Sequence, residues 1–107
     1  MKTLNQLRDE ALANAVAHGF VDATVGEDLM LVVTEVAEAM EEYRAGYPVQ
    51  AMRYNDQKPE GIPAELADVI IRVLHFSGKH GIDIEAAVEE KMKYNATRPM
   101  KHGGKVI

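Results

Sequence analysis

The chain has 107 residues, 47% of them hydrophobic and 27% charged, with no cysteine and a formal net charge of −5. That length fits one domain over residues 1–107, and that balance fits a folded chain. Lack of cysteine excludes disulfides and thiolate metal sites, and the acidic balance argues against a nucleic-acid polymer or an anionic membrane as partner.

The N-terminal MKTLNQLRDEAL has no long apolar run, so no signal peptide is expected, and no stretch is apolar enough to span a bilayer. The cytoplasm is the expected location. A first helix is predicted from Thr3 to His18. Thr3-x-x-Gln6 fits a capping box, Leu4, Leu7, Ala11, Leu12, Ala15 and Val16 recur at helical spacing, and Gly19 is a natural stop. Thr24-x-x-Glu27 opens a second helix that runs to Arg44. Its Leu29, Val32, Val33, Val36, Ala37 and Met40 form a broad apolar face, while Glu35, Glu38 and Glu42 share another side. Gly46 and Pro48 close it.

Residues 46–61 lack clear periodicity; a short helical turn is expected in part of this connection, and strand signals are weak. The segment Gly61–Gly81 reads as one helix, with Pro63 near its start and Gly81 just past its end. So apolar a helix is expected to be buried, and it makes a homo-oligomer plausible in a chain this short. Asp83 can cap a fourth helix from Ile84 to about Thr97, which Pro99 stops.

The chemistry sits on the second and third of these helices. Glu65, Asp68 and Arg72 fall within an arc of roughly 60° on a helix with little other polar surface. Acids there are costly unless something positive meets them. Glu35-x-x-Glu38 repeats the spacing upstream. If the two helices pack side by side, Glu35, Glu38, Glu65 and Asp68 converge, and four carboxylates cannot all stay ionised without cations. Hard oxygen ligands suit Mg²⁺, with Mn²⁺ a possible substitute. Glu42 could be an extra ligand. Taken singly, a Glu-x-x-Glu is usually a solvated face, and Asp68 with Arg72 could be a plain helical ion pair. There is no Glu-x-x-His, which counts against a di-iron bundle. Lys91, Asn95 and Arg98, spaced i, i+4 and i+7, could clamp phosphate oxygens or simply offset the helix dipole. Gly103-Gly104, between His102 and Lys105, could form a backbone anion nest.

The sequence resembles the MazG-like members of the all-α nucleoside triphosphate pyrophosphohydrolases. Glu35-x-x-Glu38, then 26 residues, then Glu65-x-x-Asp68 carries the likeness. GEDLMLVVTEVAEAMEEYR, KPEGIPAELADVIIRVL, GIDIEAAVEEKMKYNATRP and KHGGK extend it from His18 onward. The resemblance implies an all-α, four-helix-bundle-like fold of about four helices per chain, completed by dimerisation, in a homodimer or homotetramer. It implies Mg²⁺ on Glu35, Glu38, Glu65 and Asp68. It also implies hydrolysis of a nucleoside triphosphate between the α and β phosphates to monophosphate and pyrophosphate, often on non-standard or surplus nucleotides. Lys91, Asn95 and Arg98 are then the expected substrate-binding residues and Glu38 the nominated general base. Relatives often hold the base between aromatic side chains. This chain has no Trp, so Phe20 and the Tyr47–Tyr54 segment are the candidates. Two alternatives stay open: a phosphoribosyl-ATP pyrophosphohydrolase, and a non-catalytic metal-binding helical module.

Overall fold

The computed structural model describes residues 1–20 and 22–99. Four helices account for most of them: α1 (Leu4–Ala17), α2 (Val25–Arg44), α3 (Ile62–Lys79) and α4 (Ile84–Thr97). The fold is therefore all-α, apart from one small hairpin. Local chemistry sets the ends. Thr3 and Thr24 accept hydrogen bonds from the backbone N–H of Gln6 and Glu27, whose side chains accept in return from the cap N–H groups. Asp83 accepts from Ala86 N–H at the start of α4. Gly19 and Gly81, just past α1 and α3, take the left-handed conformation expected of them.

The third helix lies between the first two, packing against both α1 and α2, and α4 docks on α1. At Gly78 a Cβ would lie 3.0 Å from the Leu12 Cβ and 3.2 Å from the Arg8 carbonyl oxygen, so glycine lets α1 approach α3. Lys79 Nζ donates to Asp28 Oδ2 (2.9 Å) and to the Ala23 carbonyl (2.7 Å), tying the end of α3 to the start of α2. Arg8 and Asn5 of α1 reach the Ile82 carbonyl and Asp83, which fixes the turn into α4.

Two sequence expectations fail here. The connection from 46 to 61 holds an antiparallel hairpin, β1 (Arg53–Asn55) on β2 (Lys58–Glu60), rather than resting on a helical turn. Asp56 takes φ 61° at the tip, a conformation Asp tolerates better than most residues. Strand β2 runs into Gly61, where φ is 113° and any Cβ would strike the Ala51 carbonyl, so only glycine fits.

The second failure concerns burial. The apolar face of α2 is turned outward: Leu29, Val33, Val36 and Met40 are exposed, and Asp28, Glu35 and Ala39 are the buried residues. On α3, Leu66, Ile70 and Ile71 are also exposed, although Ile62, Ala64, Leu74 and Ser77 are buried. The sequence pattern marked these helices as amphipathic. It could not say which side meets a neighbour within the chain.

Candidate metal centre and adjoining cleft

Helices α2 and α3 bring together three of the four predicted acids. Carboxylate oxygens of Glu35, Glu38 and Glu65 all lie within 4.8 Å of one another. Glu35 and Glu38 share a face of α2 because they are three residues apart, and Glu65 meets them from the first turn of α3. Asp68, one turn further along α3, is exposed beside this group rather than inside it. It lines the same cleft as Glu35.

The electrostatics of the group are those of an uncompensated cluster. Burial, then the neighbouring Glu38, Asp68 and Glu35 charges, push the Glu65 carboxyl up to about 7. Glu35 is also raised: burial and Glu38 outweigh the opposing pull of Arg72. Glu65 Oε2 is buried with no hydrogen-bond partner among the described residues. Three converging carboxylates, one of them with a buried, unpartnered oxygen, are a donor set that a hard divalent cation satisfies. The residues therefore fit Mg²⁺ or Mn²⁺.

Arg72 behaves differently from its sequence reading. Its Nε donates to Glu35 Oε1 across the helix pair (3.2 Å), instead of pairing with Asp68 within α3. Glu42 is not part of the cluster. The Arg53 guanidinium takes both its oxygens (2.8 and 3.1 Å), reaches Glu60 (3.3 Å) and stacks 3.7 Å from the centre of the Tyr47 ring. This arrangement anchors the hairpin to α2 and leaves Glu42 without a ligand role.

Beside the acids a cleft of about 510 Å³ opens between α1 and α3. Glu35, Asp68 and Arg72 line it, as do Glu10 of α1 and Phe20. Neither Tyr47 nor Tyr54 lines it, so of the two aromatic candidates only Phe20 is placed in the cleft. Asn14, His18 and His75 also line the cleft. His75 lies two turns beyond Asp68 on α3, and helical spacing carries no signal that α1 faces it.

The basic residues are not gathered here. Lys91 and Asn95 lie exposed on α4; Arg98 is its C-cap, in extended conformation, and so leaves the helical face. Among the described residues, none of the three bonds to the acids or lines the cleft, and Lys91 instead sits 5.0 Å from the centre of the Tyr94 ring. Of the face predicted for the three, Lys91 and Asn95 lie on α4 and Arg98 lies past its last turn. The proposed nest at Gly103-Gly104, with His102 and Lys105, lies outside the described residues.

No helix among the described residues is long and apolar enough to cross a membrane. Comparison of the chain with family models, with curated proteins and with solved structures gives no match.

Proposed function

We propose that the protein is a Mg²⁺-dependent nucleoside triphosphate pyrophosphohydrolase of the MazG-like type. The observation that carries this reading is the convergence of Glu35, Glu38 and Glu65, with one buried carboxylate oxygen unpartnered, next to a cleft that Glu35 and Asp68 line and that is large enough for a nucleotide. Mg²⁺ bound there would offset charge on the phosphates and on the pyrophosphate leaving group. Glu35, Glu38 and Glu65 would hold it, with Asp68 beside them. Glu38 is the most exposed of the three clustered acids, so water reaches it. In this reading Glu38 takes a proton from water as the water oxygen bonds to phosphorus. The P–O bond between the α and β phosphates breaks, and the bridging oxygen leaves with the pyrophosphate. Arg72, already at the acids, neutralises part of the cluster.

Lys91, Asn95 and Arg98 act on phosphates in this account only from a second copy of the chain. Three features support such an oligomer. The exposed stripe Leu29, Val33, Val36 and Met40 is continuous at helical spacing. The radius of gyration is 16.2 Å, where a compact chain of this length has about 13 Å. The accessible surface is 8225 Å², where a folded monomer of this mass exposes about 5900 Å².

One observation favours a second reading, a non-catalytic module: Arg72 partners Glu35 across the helix pair. Incubation with Mg²⁺ and a panel of ribo-, deoxy- and modified nucleoside triphosphates, phosphoribosyl-ATP included, separates the two. Monophosphate and pyrophosphate, abolished by EDTA and by Glu38→Gln, are the expected products. No turnover across the panel would refute the hydrolase reading.

A further inference from the structure

We propose that Arg53 is a positioning residue for the acid cluster: by gripping Glu42 and Glu60 together it fixes the separation of the Glu38 and Glu65 carboxylates, and so sets which divalent cation the acids prefer. The proposal rests on the acids holding a cation. It goes beyond that reading by naming what tunes the choice of ion.

Three observations lead to it. First, Arg53 joins the two stretches of chain that carry the acids. Its terminal nitrogens donate to both oxygens of Glu42 (2.8 and 3.1 Å), and one of them also donates to Glu60 (3.3 Å). Glu42 follows Glu38 by one turn of α2, about 6 Å along the axis, and Glu60 lies just before the start of α3, whose first turn holds Glu65. Second, the grip is stiff. A two-point guanidinium–carboxylate fork holds angle as well as distance. The Tyr47 ring covers the guanidinium at 3.7 Å, and Arg53 and Glu60 are direct partners across the hairpin. The backbone is held at the same place: Gly61 sits against the Ala51 carbonyl with no room for a Cβ, and its own carbonyl accepts from Glu65 N–H (3.0 Å). Third, a different tie, Lys79 to Asp28, joins the other ends of α2 and α3. Asp28 lies about two turns before Glu35, and Lys79 about three turns beyond Asp68. Of these two ties, the one made by Arg53 is the one set close to the acids.

Ion preference follows from stiffness. Mg²⁺ demands oxygens at about 2.0–2.1 Å in near-octahedral array, whereas Ca²⁺ accepts about 2.3–2.6 Å and irregular geometry. Carboxylates held at a fixed close spacing favour the smaller ion. Carboxylates allowed to drift lose that preference before they lose affinity for the larger one. The two ions carry the same charge, so a change in nearby charge alters both affinities alike, and their ratio reports spacing.

The test uses the metal-free full chain. Mg²⁺ and Ca²⁺ are titrated separately by calorimetry, and solvent exchange of the Glu65 amide is followed by NMR relative to that of Leu74 in the same helix. Arg53→Lys keeps the charge and loses the fork. It should lower the ratio of Mg²⁺ to Ca²⁺ affinity about tenfold and speed Glu65 exchange relative to Leu74. Glu42→Gln, which keeps the shape of the main partner, should shift the ratio in the same direction by a smaller factor. Lys79→Met cuts the distant tie and should leave the ratio unchanged. An unchanged ratio in Arg53→Lys, with both cations still bound, would overturn the positioning role and spare the metal reading. An equal fall of the ratio in Lys79→Met would also overturn it, because any loosening of the helix pair would then suffice. No binding of either cation by the parent protein would overturn the metal reading and the ion preference with it, while Glu65 exchange would still show whether Arg53 fixes the start of α3.

Discussion

The face of α2 turned toward α3 carries Asp28 and Glu35, both buried, whereas the face turned outward carries Leu29, Val33, Val36 and Met40, each half exposed or more. An ordinary surface helix has the reverse pattern. The two buried acids also differ from each other. Asp28 is matched by Lys79 at 2.9 Å, a structural pair that locks helix ends together. Glu35 stands with Glu38 and Glu65 in a group that Arg72 matches only in part. One buried carboxylate is satisfied within the chain, and the cluster is not. The outward apolar stripe is unsatisfied too. The molecule is thus incomplete in two respects, and the proposal assigns a cation to one and a second subunit to the other.

The largest effect expected from breaking this contrast is on turnover. Glu38→Gln and Asp68→Asn should each lower kcat by about a thousandfold, measured as pyrophosphate release. Far-ultraviolet circular dichroism should stay unchanged. The metal-free variants should melt no lower than the parent, because each removes a like charge from the group.

Next is the outer face. Val33→Asp combined with Met40→Glu should weaken self-association about a hundredfold or more, read by light scattering as a fall to the monomer mass. A monomeric parent protein would remove the second-subunit half of the comparison.

The structural pair should respond unlike the cluster. Lys79→Met leaves Asp28 buried without its cation and should cost about 3 kcal/mol in denaturant unfolding. Mg²⁺ affinity should be little altered, whereas acid-cluster variants should show the opposite pattern.

A smaller effect comes from pH. Glu35 and Glu65 hold their protons more tightly when folded than unfolded, Glu65 up to about 7 against an ordinary 4.5. Between those values the native state binds more protons than the unfolded one, so metal-free stability falls as pH rises through this window. The melting temperature should be several degrees higher near pH 5 than near pH 7.5, and saturating Mg²⁺ should remove or invert that slope.

Much of this was legible in the sequence, and the unread parts share a cause. The helices were readable because Thr3, Thr24, Asp83, Gly19 and Gly81 act on their immediate neighbours, where local chemistry decides. The acid pairs were readable because three-residue spacing places side chains on one face. The hairpin escaped because Arg53–Asn55 and Lys58–Glu60 are too short to show alternation, and Pro59 argues against a strand. Helix spacing offers Arg72 only partners on its own helix, such as Asp68; its bond to Glu35 depends on how α2 and α3 cross. His75 and Asn14 were missed as cleft residues for the same reason. The outward turn of the apolar stripe depends on packing choices that periodicity does not encode.

The central claim is that the acids converge for the sake of a divalent cation, and direct cation binding tests it. Calorimetric titration of the metal-free protein with Mg²⁺ and Mn²⁺ at pH 7.5 should give saturable binding. That binding should weaken as pH falls below 7, as protons compete for Glu65, and it should be lost in Glu65→Gln. No binding to the parent, or equal binding to the Glu65→Gln variant, would contradict the account.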